Sequence, residues 1–192
     1  MRRSAGFTII ELLITVGLMA IIVSLAVPSF RSIIRSSSLS ASASEFLGAL
    51  NYARAEAIRR SRPIILCKST TGNTCSLTSE WEQGWLAYVD DDNSSTLDVN
   101  TDTIVRVWPG LGGNYTLRGD TQFDLAIRYN AMGVLSEDAG TFVLCADNVT
   151  EGARSIAITR LRPRFGIDTN NDDIPEKDDG VNSINIASCQ TP

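Results

Sequence analysis

The chain has 192 residues, 43% of them hydrophobic and 20% charged, enough for one globular domain with a core and too few for a large multidomain enzyme. Lys and Arg total 17 against 22 Asp and Glu, a net charge of −5 and an isoelectric point near 4.8, which excludes a protein that coats nucleic acid over its whole surface. Histidine is absent, so the usual general base, the serine and cysteine triads and the commonest zinc ligand are missing. Neither a glycine-rich phosphate loop nor a Walker or Rossmann spacing occurs, and a non-enzymatic protein is expected.

The first predicted element is the apolar run Phe7 to Phe30, FTIIELLITVGLMAIIVSLAVPSF, whose only charge is Glu11. At a helical rise of about 1.5 Å per residue it reaches roughly 36 Å, enough to cross a hydrocarbon core of about 30 Å. Arg2 and Arg3 in front of it hold the N-terminus in the cytoplasm by the positive-inside rule and place the rest of the chain outside. An acid inside such a run needs a partner, because a carboxylate at membrane depth costs about 2.5–3.5 kcal/mol on insertion scales. Pro28, with Gly17 upstream, predicts a kink or a locally melted turn.

Gly6-Phe7-Thr8-Ile9-Ile10-Glu11-Leu12 resembles the class III leader of type IV pilins and type II secretion pseudopilins. The resemblance implies that a prepilin peptidase cuts after Gly6, that Phe7 becomes N-methylated, and that the anchor is retained. It also implies a role for Glu11 in recruitment and registry, its carboxylate meeting the N-terminal amine of a neighbouring subunit, an arrangement in which a cation offsets the buried acid. Cleavage would leave 15 basic against 22 acidic side chains, a net charge of −7.

After Arg35, the small polar segment SSSLSASASE precedes an apolar stripe at Leu39, Ala43, Phe46, Leu50, Ala53 and Ala57. Spacings of four and three residues predict the amphipathic continuation of the same helix, near 80 Å in all at about 1.5 Å per residue, ending at Pro63. From Ile64, the runs PIILC, GWLAYVD, TIVRVW, FDLAIRY, TFVLCA and SIAIT, separated by glycine-rich turns, predict strands. The expected fold is α+β: a long N-terminal helix packed on two small antiparallel sheets. The segments AVPSF, LGALNYARAEAIRRSRPIILC and WEQGWLAYVDDDN narrow the resemblance to minor pilins of the FimU and FimT type, whose domain is shared with the pseudopilin GspH. The expected organisation is a leader over 1–6, a membrane and polymerisation helix over 7–30, an amphipathic half over 31–62 and a periplasmic β-rich domain over 63–192.

Cys67, Cys75, Cys145 and Cys189, with no CxxC and no histidine, predict disulfides rather than zinc in an oxidising compartment. Of three connectivities the favoured one joins Cys67 to Cys75 and Cys145 to Cys189. Two acidic loops are candidate calcium sites: Asp90, Asp91, Asp92 and Asn93 with Asp98, and a second, preferred set of Asp168, Asn170, Asp172, Glu176 and Asp179. The second follows the offsets of an EF-hand loop but has Asp173 where glycine is wanted, a stiffening Pro175 and Asp in place of the final Glu.

The stretch from Gly152 to Ile167 holds Arg154, Arg160, Arg162 and Arg164 without an acid. In an extended strand, residues 160, 162 and 164 face one way at about 7 Å spacing, suited to a phosphate backbone. Arg162-Pro163-Arg164 also resembles the Gly-Arg-X-Arg motif of DNA-uptake members of the FimT group, with Leu161 at the glycine position. The resemblance implies a minor pilin without a cofactor, held in the inner membrane by a single span and then incorporated in the fibre. Its implied partners are the peptidase, the inner-membrane assembly platform and other minor and major pilins. The alternatives are a GspH-like pseudopilin of a type II secretion system and a DNA-binding pilin of a competence pilus.

Overall fold

The computed structural model describes residues 8–177 and 184–190. A single helix, α1 (Ile9–Arg60), accounts for the first third of the chain. The chain divides into two units between Ser38 and Leu39, and the division follows the sequence pattern. Before it, the large apolar side chains of α1 from Ile9 to Ile34 are exposed, Ile9 at 81% and Leu25 at 72%. After it, only one stripe is apolar: Leu39, Ala43, Phe46, Ala49, Leu50, Ala53 and Ala57 are at most 3% exposed.

The helix ends as its sequence requires. Ser61 takes a left-handed conformation (φ 53°), the Arg62 amide reaches back to the Ala57 carbonyl at 3.3 Å, and Pro63 prevents continuation. Of the kink or melted turn expected at Pro28, the melted turn is not seen, since α1 runs through position 28. A proline inside a helix removes one backbone bond, and the remaining ladder on either side holds the conformation.

The second unit contains two four-stranded sheets. In one, β1 (Ile64–Lys68), β2 (Gly84–Val89), β3 (Thr103–Pro109) and β5 (Ala126–Tyr129) lie in the order β3-β2-β1-β5. In the other, β4 (Tyr115–Gly119), β6 (Gly140–Ala146), β7 (Val149–Ile158) and β8 (Pro163–Phe165) lie in the order β4-β6-β7-β8. Every pairing is antiparallel.

β1 is central and buried throughout, so its alternate residues serve two clusters. Ile64 and Leu66 join the helix stripe and the inner faces of both sheets, whereas Ile65 and Cys67 join Leu86, Tyr88 and Ala126 on the outer face. The alanines of α1 allow close approach, and Phe46 fills the space they leave, edge-on to Trp81 (5.7 Å) and Trp85 (5.1 Å). The Trp81 indole N–H is satisfied by the Phe123 carbonyl at 3.0 Å.

Glu82 ties the sheets together. Its carboxylate accepts from the Leu117 amide at 3.1 Å and pairs with Arg118, both on β4, while its carbonyl accepts from the Leu111 amide at 2.8 Å. At the far end of the core, Gly133 (φ 71°) admits Ile58 to within 2.6 Å of where a Cβ would stand, and the Arg54 Nε–H bonds its carbonyl at 2.9 Å.

Candidate functional site

The predicted processing residues Gly6 and Phe7 lie outside the described residues. Thr8 caps α1: its hydroxyl accepts from the Glu11 amide at 3.3 Å and its carbonyl from the Leu12 amide at 3.2 Å. Glu11 is therefore the third residue of the helix, exposed, and placed where the helix dipole favours an anion. The hydroxyls of Thr15 and Ser24 turn inward to the carbonyls of Leu12 (2.9 Å) and Ile21 (2.7 Å), which removes their polarity from the exposed face. The segment is long and apolar enough to cross a membrane.

The four cysteines form two disulfides, Cys67 to Cys75 and Cys145 to Cys189, with Cα separations of 5.6 and 5.9 Å. The first closes a polar loop organised by Ser69, whose hydroxyl accepts from the Gly72 amide at 2.9 Å and donates to the Thr74 carbonyl at 2.7 Å. The second holds the C-terminal segment against β6, where Ile186 and Cys189 pack on Val143, Cys145 and Ala153.

The acidic loops differ from expectation. Among the described residues, the carboxylates close enough to share a cation are those of Asp90, Asp92 and Asp102. Asp102 belongs to this group although it stands apart from the run at 90–92, because the β2–β3 pairing sets Val89 opposite Thr103. That pairing is the signal that identifies it. Burial raises the Asp90 pKa, despite hydrogen bonds from the Ser95 and Ser94 amides, and Asp102 nearby adds to the rise. Hydrogen bonds from Ser94 lower that of Asp92.

In the preferred loop, Asp168 accepts from the Asn171 amide (2.7 Å) and the Asp173 amide (3.0 Å), so its oxygens brace the turn. Glu176 is buried and turned onto Thr169, accepting from its amide at 2.8 Å and its hydroxyl at 2.6 Å. Those bonds lower its pKa, the Thr169 hydroxyl contributing most. Asp172 is held by the Ile174 amide, Asn170 and Asn185, and Asp179 lies outside the described residues. Asp168, Asp172 and Glu176 do not converge.

The arginine ladder is corrected as well. Arg160, Arg162 and Arg164 do not share a strand. β7 ends at Ile158, and residues 159–162 form a turn in which the Thr159 hydroxyl donates to the Arg162 carbonyl at 2.8 Å. β8 then starts at Pro163, opposite Ile158, and places Arg164 opposite Ala157. A proline opening an edge strand is compatible with the sheet because no ladder hydrogen bond from its nitrogen is needed there. Arg160 reaches Asp138 at 3.5 Å, with both side chains well exposed. The three arginines surround a hairpin tip.

The family described as type II transport protein GspH matches residues 42–171, and the prokaryotic N-terminal methylation motif matches residues 1–27. No curated protein matches. Two crystal structures of the type IV minor pilin FimU of Pseudomonas aeruginosa PAO1 share the fold. The form in space group P21 gives a TM-score of 0.54 at 20% identity over 68% of this chain and 90% of that one. The form in P65 gives 0.53 at 21% over 67% and 92%. With a matching domain over more than half its length, behind a matching methylation motif, the chain belongs to the GspH family of pilin-like proteins.

Proposed function

We propose that the chain is a minor pilin, a structural subunit that enters a type IV pilus through α1 and helps to initiate assembly at or near the fibre tip. The observation that carries this reading is the exposed apolar half of α1, from Ile9 to Ile34, which begins with an acid at its third residue and continues into the helix that organises the folded domain. A helix without a core of its own is a surface that awaits partners, first lipid and then other subunits. In the fibre Glu11 faces the N-methylated amine of Phe7 on a neighbour, left by cleavage after Gly6. The domain occupies the periplasm, where its disulfides form. It performs no catalysis.

Recovery of the chain in sheared surface fibres tests the reading. Loss of surface fibres on deleting its gene, restored by the wild-type chain and not by Glu11→Ala, supports it. Normal fibres in the deletion strain contradict the initiating role.

A second reading, a pseudopilin of a type II secretion fibre, is favoured by the description of the matching family. It predicts that deletion stops export of folded enzymes and leaves surface pili intact. DNA capture remains a third reading, centred on the hairpin of Arg160, Arg162 and Arg164. Its test is a gel shift with duplex DNA at two salt concentrations: a salt-sensitive shift abolished in the triple alanine variant supports it, and an unchanged shift removes it.

A further inference from the structure

Lys68, the last residue of β1, is only 6% exposed. Strand alternation puts it on the face of Ile64 and Leu66, the face that builds the main core, and Trp85 stands directly across the ladder. A lysine held there buries its stem and keeps only part of its hydration at the cleft, and lysine is rarely buried unless paired. Among the described residues, Lys68 takes part in no ion pair and no side-chain hydrogen bond.

It lines a cleft of about 470 Å³ between β1 and the Trp81 turn on one side and the end of β4 on the other. The other cations of this cleft are committed. Arg118 pairs with Glu82 and lies 3.7 Å from Glu80, and the Lys177 Nζ lies 2.8 Å from Asp120. Lys68 is the cation left over. Asp124 also lines the cleft and joins no ion pair among the described residues. A lone acid in the wall repels a dianion more than a monoanion, so the cleft disfavours phosphate groups and nucleic acid. Trp81 adds an apolar surface.

We propose that this cleft binds a single carboxylate, with Lys68 as its counter-charge. The carboxylate comes either from a free small acid or from an Asp or Glu side chain presented by another subunit. The site itself stands independently of the fibre assignment, which bears only on the second source.

Lys68 and Lys177 are the chain's two lysines, so labelling the lysine ε-carbon with ¹³C gives two resonances, assigned by Lys68→Met. The mature chain in detergent micelles is titrated with sodium acetate against sodium chloride at constant ionic strength. The Lys68 resonance is expected to move saturably with acetate and not with chloride, while that of Lys177 does not follow the same curve. Tryptophan fluorescence should report acetate binding weakened at least about tenfold in Lys68→Met, and phosphate at least about tenfold weaker than acetate on the wild type. An identical response of Lys68 to acetate and chloride overturns the proposal, and this comparison needs no variant. Carbodiimide coupling on assembled fibres separates the sources. A Lys68 amide to an acidic residue of a second chain identifies a subunit, and saturable acetate binding without that cross-link identifies a free acid.

Discussion

Phe46 of α1 and Phe142 of β6 meet with ring centroids 4.8 Å apart and an interplanar angle of 55°. Phe46 also stands edge-on to Trp85 of β2, so one helix side chain touches both sheets. Phe46→Ala should destabilise the domain from Leu39 onward by about 3–5 kcal/mol. Phe46→Leu, which keeps most of the volume, should cost less. Urea denaturation of the oxidised domain measures both.

The two disulfides should not contribute equally. Cys145 and Cys189 are 44 residues apart and Cys67 and Cys75 only 8, and the entropy removed from the unfolded chain grows with the loop closed. Replacing each pair by serine should cost roughly 2–4 kcal/mol, with the Cys145–Cys189 pair the more costly. Thermal melts of the two double variants give the order.

Much of the architecture is legible from periodicity. The stripe from Leu39 to Ala57 follows a helical repeat, and the residues it singles out are buried. The predicted strands in PIILC, GWLAYVD, TIVRVW and TFVLCA overlap β1, β2, β3 and β6 to within a residue at each end because short apolar runs between turns leave little choice. β4 and β8 are harder to see. Tyr115 to Gly119 buries only Leu117 fully, and Pro163 to Phe165 is three residues long and starts with proline. Without the turn between β7 and β8, residues 160, 162 and 164 read as one extended ladder. The acidic cluster was half legible: the run at 90–92 is plain, but Asp102 joins it through strand register, which local sequence does not display.

Asp102 braces the β2–β3 connection, its two oxygens accepting from the Asp91 amide at 3.0 Å and the Asp98 amide at 2.9 Å. Asp102→Ala should leave both amides unpaired at a cost of about 1–3 kcal/mol. Hydrogen exchange at Asp91 and Asp98 should accelerate, with exchange in β6 and β7 changed far less.

Glu56 lies in the last turns of α1 with Arg59 and Arg60 each 2.6 Å from one carboxylate oxygen. Hydrogen bonds from Arg59, then Arg60, hold its pKa at about 2, below the ordinary 4.5. The folded value lies below the unfolded one, so the pair's contribution is complete above pH 4.5 and disappears as pH falls toward 2. Pairs on a helix surface keep contact with water, and the loss should not exceed about 1 kcal/mol. Acid titration of the wild-type domain should show this loss, and Glu56→Gln should flatten it.

The proposed entry of the chain into a fibre rests on α1. The most direct measurement is mass spectrometry of the sheared fibre fraction from cells producing the wild-type chain or Glu11→Ala. Wild-type fibres should yield a mature chain beginning at N-methylated Phe7, and Glu11→Ala should be depleted from fibres at least about tenfold while it persists in the membrane. A chain that keeps Met1 and stays wholly in the membrane fraction, or a Glu11→Ala chain incorporated as well as the wild type, would contradict it.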